Sequence, residues 1–139
     1  MSKNLQRIID KLREETAVFR VTLRLKKDEF RVSYESLDQN ALSLKGPVPF
    51  DLRKAKTYQW LENEKRILVQ DDVLQGPEPP KELHEIYGVG SQLLAGVFHN
   101  DLLTGIISVH HKAHPRKWEE TEIKALGKAT VLVEKELRR

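Results

Sequence analysis

Cysteine is absent from the 139-residue sequence, which removes thiolate catalysis, thiolate metal sites and any covalent adduct on sulfur. Long hydrophobic runs are missing as well: the longest fall far short of the roughly 20 residues that cross a bilayer, so no membrane-spanning chain is expected. Aromatic residues make up only 6%, and the net charge of +3, from 24 basic and 21 acidic side chains, is dispersed with no block of five like charges. A nucleic-acid reader would cluster its basic residues among stacking aromatics, so no nucleic-acid partner is expected. A nucleophile elbow, a phosphate-cradling glycine-rich loop and a zinc-hydrolase motif are also lacking, and an enzyme is not expected. Met1-Ser2-Lys3-Asn4-Leu5 has neither the apolar core nor the cleavage site of a secretory signal, which together with the missing cysteine points to a cytoplasmic protein.

What is present suits one globular domain over residues 1–139: 39% of residues are hydrophobic and 32% charged. Leu5, Ile8, Ile9 and Leu12 recur at helical spacing between Lys3 and Glu15, predicting an amphipathic helix with one buried stripe. From Ala17 the period becomes two. Ala17, Phe19, Val21, Leu23 and Leu25 alternate with Val18, Arg20, Thr22, Arg24 and Lys26, which predicts a strand with one face buried. Glu29 to Ser36 repeats the alternation and closes an antiparallel hairpin. Asp51 caps a helix from Leu52 to about Glu62, Ile67 to Val69 forms a short strand, and the proline-rich stretch Asp71 to Pro80 is a loop. A short helix over Pro80 to Tyr87 ends at Gly88 and Gly90.

Ser91 to Phe98 and Leu102 to His110 are apolar on nearly both faces, with Asn100-Asp101 as the turn, and read as central strands. The last helix, Glu119 to about Leu137, carries Ile123, Leu126, Thr130, Val133 and Leu137 in a seam of the kind that pairs helices or covers a sheet. The order helix, two strands, helix, strand, small helix, two strands, helix predicts an α+β domain with an antiparallel sheet between helical layers.

Several segments resemble a GAF domain, the small-molecule sensing module of bacterial signalling proteins. They are Ile67-Leu68-Val69-Gln70-Asp71-Asp72-Val73, Gly88-Val89-Gly90-Ser91, Leu103 through Val109, and Trp118 through Leu126. The resemblance implies a PAS-related fold: a central antiparallel sheet with the terminal helices on one face and a ligand pocket on the other. Val109-His110-His111 with Pro115-Arg116 is most similar to the phytochrome and cyanobacteriochrome branch, where a histidine matching His110 faces the bilin. Those photoreceptors hold bilin through cysteine, so covalent attachment is excluded here and a non-covalent tetrapyrrole is the remaining form of that cofactor. The free methionine sulfoxide reductases of the same fold also need cysteine and are excluded. The Asn-Lys-Phe-Asp signature of the cyclic-nucleotide-binding relatives is not found.

Alternation along the fifth strand puts Thr104, Ser108 and His110 on one face among aliphatic residues, a composition that suits a pocket floor. Asp72, His84 and Tyr87 are expected in its lid, and Trp60 or Tyr58 in a wall. His110, His111 and His114 form no metal set, because adjacent strand residues diverge and no cysteine completes one. The favoured function is a non-enzymatic sensory domain that binds a small molecule non-covalently. It is expected to act as a homodimer through Leu5, Ile9, Leu12, Leu126, Val133 and Leu137, and to pass its signal to a partner such as a histidine kinase. The alternative is a ligand-free scaffold used only for association.

Overall fold

The computed structural model describes residues 2–139. Its elements follow the expected order: α1 (Lys3–Thr16), β1 (Arg20–Leu25), β2 (Val32–Leu37), α2 (Lys56–Glu64), β3 (Leu68–Gln70), α3 (Lys81–Glu85), β4 (Val89–His99), β5 (Leu102–Lys112) and α4 (Glu120–Leu137). Short 3-10 turns lie at Lys26–Asp28 and Leu52–Lys54. The strands pair antiparallel in one five-stranded sheet of order β2-β1-β5-β4-β3. Asn100 and Asp101 both take positive φ, 50° and 65°, as a tight turn matching the twist of the β4-β5 hairpin requires.

Helix α1 starts where the Ser2 hydroxyl accepts from the Leu5 N–H, and stops where Ala17 turns left-handed at φ 50°. Helix α4 opens with a capping box in which Glu119 and Glu122 satisfy each other's exposed N–H groups. Leu5, Ile9 and Leu12 of α1 and Leu126, Ala129 and Val133 of α4 pack on the sheet face built by Val21, Leu23, Leu93, Ala95, Ile107 and Val109. Each large aliphatic side chain enclosed there contributes about 1.5–3 kcal/mol of burial. Replacing Ile9, which has no exposed surface, with a charged residue would therefore break this layer.

That packing corrects the dimer surface expected from sequence. Leu5, Ile9, Leu12, Leu126 and Val133 are interior, at most 4% exposed, and only Leu137 keeps 38% of its surface. The apolar seam is used up in covering the sheet. The outward groove between α1 and α4 is lined instead by Arg7, Ile8, Lys11, Lys128, Leu132 and Lys135.

Strand β1 brings a second correction. Its two edges are paired with β2 and β5, and its two faces are covered by α1 and α4 on one side and by the segments over the other, so every residue from Arg20 to Leu25 is buried. Arg20, Thr22 and Arg24, expected on a solvent face, are 0%, 0% and 3% exposed. They point to the side of the sheet away from α1 and α4, beneath α2, α3 and the segment joining β2 to α2.

Candidate functional site

The face opposite α1 and α4 carries a row of polar side chains across four strands. Register places Arg20 of β1 beside His110 of β5, His110 beside Gln92 of β4, and Gln92 beside Gln70 of β3. Hydrogen bonds give the row a direction. Gln70 Nε2 donates to the carbonyls of Gln75 (3.0 Å) and Pro77 (2.8 Å), which leaves its Oε1 to accept from Gln92 Nε2 at 2.7 Å. Gln92 Oε1 is then turned along the row and has no partner. From the other end, Arg20 Nη1 donates to His110 Nδ1 at 3.1 Å, and the rest of that guanidinium is held by the carbonyls of Leu42 and Tyr87. His110 Nε2 is likewise buried without a partner.

Burial, with Arg20 and then Arg24 beside it, holds the His110 pKa well below the usual histidine value. The neutral ring whose Nδ1 accepts from Arg20 must carry its proton on Nε2. An acceptor on Gln92 and a donor on His110 are thus both unspent in this row.

The space they border is nearly closed. Arg24, Gln92, Leu94, Ser108 and His110 form its floor, Leu52 and Thr57 one wall, and Pro79 with Leu83 the other. About 10 Å³ remains open between them, room for about one water molecule. Thr57 Oγ1 is a further buried atom there without a partner. Burial, then the neighbouring Arg20, lowers the Arg24 pKa to about 10, and burial lowers that of Arg20 to about 10, so both are cations at neutral pH. Such a set presents fixed hydrogen-bonding groups and positive charge to the cavity, chemistry that suits orienting a small molecule. A tetrapyrrole does not fit this closed space, since ligand pockets of drug-like size run to roughly 300–1,000 Å³.

Of the residues expected here, His110 and Ser108 lie in the floor together. Tyr87 caps the Arg20 guanidinium with its ring, 5.8 Å from the centroid, and with its carbonyl. His84 bonds the Val89 carbonyl through Nδ1 at 2.8 Å, tying α3 to β4. Asp72 accepts from the Leu74 N–H in its own turn, and Trp60 packs under the Arg66 guanidinium, 5.0 Å away; neither borders the cavity.

Thr104 is displaced by a bulge. Val97 pairs with Gly105 but Phe98 with Leu103, so Thr104 is the extra residue and the alternation flips there. Its hydroxyl donates to the Val97 carbonyl, and it lines a surface groove of about 850 Å³ with Leu25 and Leu137. Arg20, Arg24, Gln92 and Thr57 are site residues that sequence reasoning missed. For Arg20, Arg24 and Gln92 the signal was a polar residue inside a strand with paired neighbours on both edges; Thr57, in α2, carried none.

A second cluster ties this face to the helices. The Gln70 carbonyl accepts from Trp118 Nε1 at 3.2 Å, and Asp71 holds the N–H groups of Trp118 and Arg116 through its carboxylate and carbonyl. Arg116 in turn reaches the Thr16 carbonyl at the end of α1, pairs with the Glu122 carboxylate of α4, and donates to His111 Nδ1. His110 and His111 point to opposite faces. Among the described residues no three His, Asp or Glu side chains are grouped as metal ligands.

The sequence model of the GAF domain matches residues 1–137. The structure is similar to the blue-light-absorbing form of the Thermosynechococcus elongatus PixJ GAF domain, at 22% identity and a TM-score of 0.72, covering 97% of this chain and 88% of that one. It is similar to the phycocyanobilin-bound GAF domain of a cyanobacterial phytochrome, at 22% identity and a TM-score of 0.75, covering 96% and 81%. The chromophore-binding domain of the Stigmatella aurantiaca bacteriophytochrome aligns at 16% identity and a TM-score of 0.77, covering 96% of this chain and 53% of that one. At these identities the likeness is one of fold. No curated protein matches.

Proposed function

The chain belongs to the GAF domain family, and on that premise we propose that it is a non-enzymatic sensory domain binding a small molecule between Arg24, Gln92, Ser108, His110 and Thr57. The observation that carries this reading is the convergence of Gln92 Oε1, His110 Nε2 and Thr57 Oγ1, buried and unpartnered, on one cavity. Leaving such groups unpaired costs about 1–3 kcal/mol each, a cost a bound molecule with matching groups would remove. His110 acts as a fixed donor in this reading. Its other nitrogen is taken by Arg20, so it has no lone pair with which to act as a base.

Residues 1–139 act as one unit in this proposal, in a cytoplasmic setting. Opening the cavity moves Leu52, Thr57, Pro79 and Leu83 apart and repositions Gln92 against Gln70. Gln70 and Asp71 hold Trp118 and Arg116, so the change is felt at the start of α4 and the end of α1. Differential binding to the two arrangements supplies the signal, which passes to a second copy or a signalling partner such as a histidine kinase. The phycocyanobilin-bound and chromophore-binding structural relatives make a non-covalent chromophore one occupant to test; admitting it requires the walls to part.

A second reading, association without a ligand, is favoured by Val131 and Leu132, which are 49% and 48% exposed on the outer side of α4. The test is a thermal-shift screen of a metabolite library on the wild type and on Ser108→Leu, whose added bulk fills the cavity. Compounds that stabilise the wild type and lose their effect in a folded Ser108→Leu support the sensor. Compounds that act equally on both proteins would place binding elsewhere.

A further inference from the structure

The groove that takes Thr104 is a ligand-sized space which the polar row does not use. It measures about 850 Å³, within the roughly 300–1,000 Å³ of small-molecule sites, whereas about 10 Å³ is open over the row. It also lies on the other side of the sheet, where the last turn of α4 meets the end of β1 and the β4-β5 hairpin. Gly105 keeps its floor low. A Cβ there would come within 3.2 Å of Leu25 Cδ2 and 3.4 Å of Val97 Cβ, two of the lining residues.

The polar atoms along this floor are already spent. The Thr104 hydroxyl donates to the Val97 carbonyl at 3.1 Å, and Glu134 Oε2 accepts from the Phe98 N–H at 3.1 Å. A peptide laid here would bury N–H and C=O groups against Leu25, Val97, Phe98 and Leu137 with little to pair them, at a cost that a chain of methylenes does not meet. Charge enters at the walls. Leu25 is followed by Lys26 and Lys27, and Leu137 by Arg138, and all five line the groove. The three cations enter no ion pair among the described residues, and the lining carboxylate, Glu134, is held by the Phe98 amide.

We propose that this groove is a second binding site, for a free fatty acid: its tail lies along Leu25, Val97, Phe98 and Leu137, and its carboxylate is met by Lys26, Lys27 and Arg138. A neutral amphiphile leaves those cations unanswered, and an amine is repelled by them. Because the groove is open to solvent its occupant exchanges readily and leaves during purification. The site stands apart from the polar row and does not depend on what binds there.

The test titrates the full chain with octanoate, decanoate, octanol and octylammonium, each below its micelle point at constant ionic strength, and reads amide proton-nitrogen spectra and calorimetry. Octanoate is expected to shift the amides of Leu25, Thr104 and Leu137 and not those of Gln92, Ser108 and His110. It binds about three- to tenfold more tightly than octanol or octylammonium, the modest gain of solvent-exposed charge pairs. Decanoate, with two more methylenes to bury, binds about tenfold more tightly than octanoate. Leu137→Glu, at a position 38% exposed in the last turn of α4, weakens octanoate at least about tenfold, while Ser108→Leu leaves it unchanged. The wild-type shifts decide the site whether or not either variant folds. Octanol or octylammonium binding as tightly as octanoate would overturn the anion assignment. Shifts confined to Ser108 and His110 would put the carboxylate over the polar row and overturn the groove, as would no binding at all. Co-sedimentation with phosphatidylglycerol vesicles while octanoate fails to bind would make the patch a membrane contact and overturn it too.

Discussion

Arg20 Nη1 lies 3.1 Å from His110 Nδ1, and because a guanidinium has no lone pair the imidazole must accept. The partnership fixes a neutral ring with its proton on Nε2, facing the cavity. Long-range proton-nitrogen correlation of the imidazole is expected to show that tautomer, with no titration through the usual histidine range around pH 6.5. A ring that gains a second proton in this range would mean the arginine contact does not persist in solution.

Stability depends on pH with a definite sign. The pKa of His110 is lowered well below 6.5 by burial, Arg20 and Arg24, and that of His111 is lowered by burial, Arg116 and His114. Below about pH 6.5 the unfolded chain takes up protons that the folded chain does not, so stability is lost as pH falls and is fully present above it. His110 alone contributes a slope of up to about 1.4 kcal/mol per pH unit in that window. Urea denaturation at about pH 7.5 and 5.5 checks this, with His110→Gln expected to flatten the dependence.

Thr57 is fully buried and its hydroxyl has no partner. Thr57→Val removes that hydroxyl at nearly constant shape, and the unliganded protein is expected to gain about 1 kcal/mol. Any molecule retained in the cavity should bind more weakly. A loss of stability in urea would show that the hydroxyl is paired in solution.

Two glycines should respond oppositely to alanine. A Cβ on Gly90 would come within 2.6 Å of the Ala113 carbonyl carbon and 2.7 Å of the His114 oxygen, backbone atoms that cannot swing aside, so Gly90→Ala should cost about 1–3 kcal/mol. Gly127 is inside α4 with nothing within 4 Å of its added Cβ. Gly127→Ala should therefore stabilise by about 0.5–1 kcal/mol. Denaturation midpoints of the two variants check the pair.

The helical stripe of α1, the β4-β5 hairpin with its Asn100-Asp101 turn, and the placing of Ser108 and His110 on one face were legible from periodicity. The burial of Arg20 and Arg24 was not. Charged residues alternating with apolar ones give the same pattern whether the charged face meets water or a polar pocket, and only the segments that fold over that face, here carrying Leu42, Leu52, Thr57 and Leu83, decide. Thr104 was misplaced because one extra residue in a bulge inverts the alternation without marking the sequence. Leu126 and Val133 formed a seam that could face a sheet or another helix, and the sheet took it.

The most direct measurement is native mass spectrometry, with an absorption spectrum, of the protein purified from its own cells. The account predicts a subunit heavier than its 16.1 kDa chain, with the added mass released on denaturation and absent from Ser108→Leu. A bare chain from the same cells, or an adduct that Ser108→Leu retains, would contradict it.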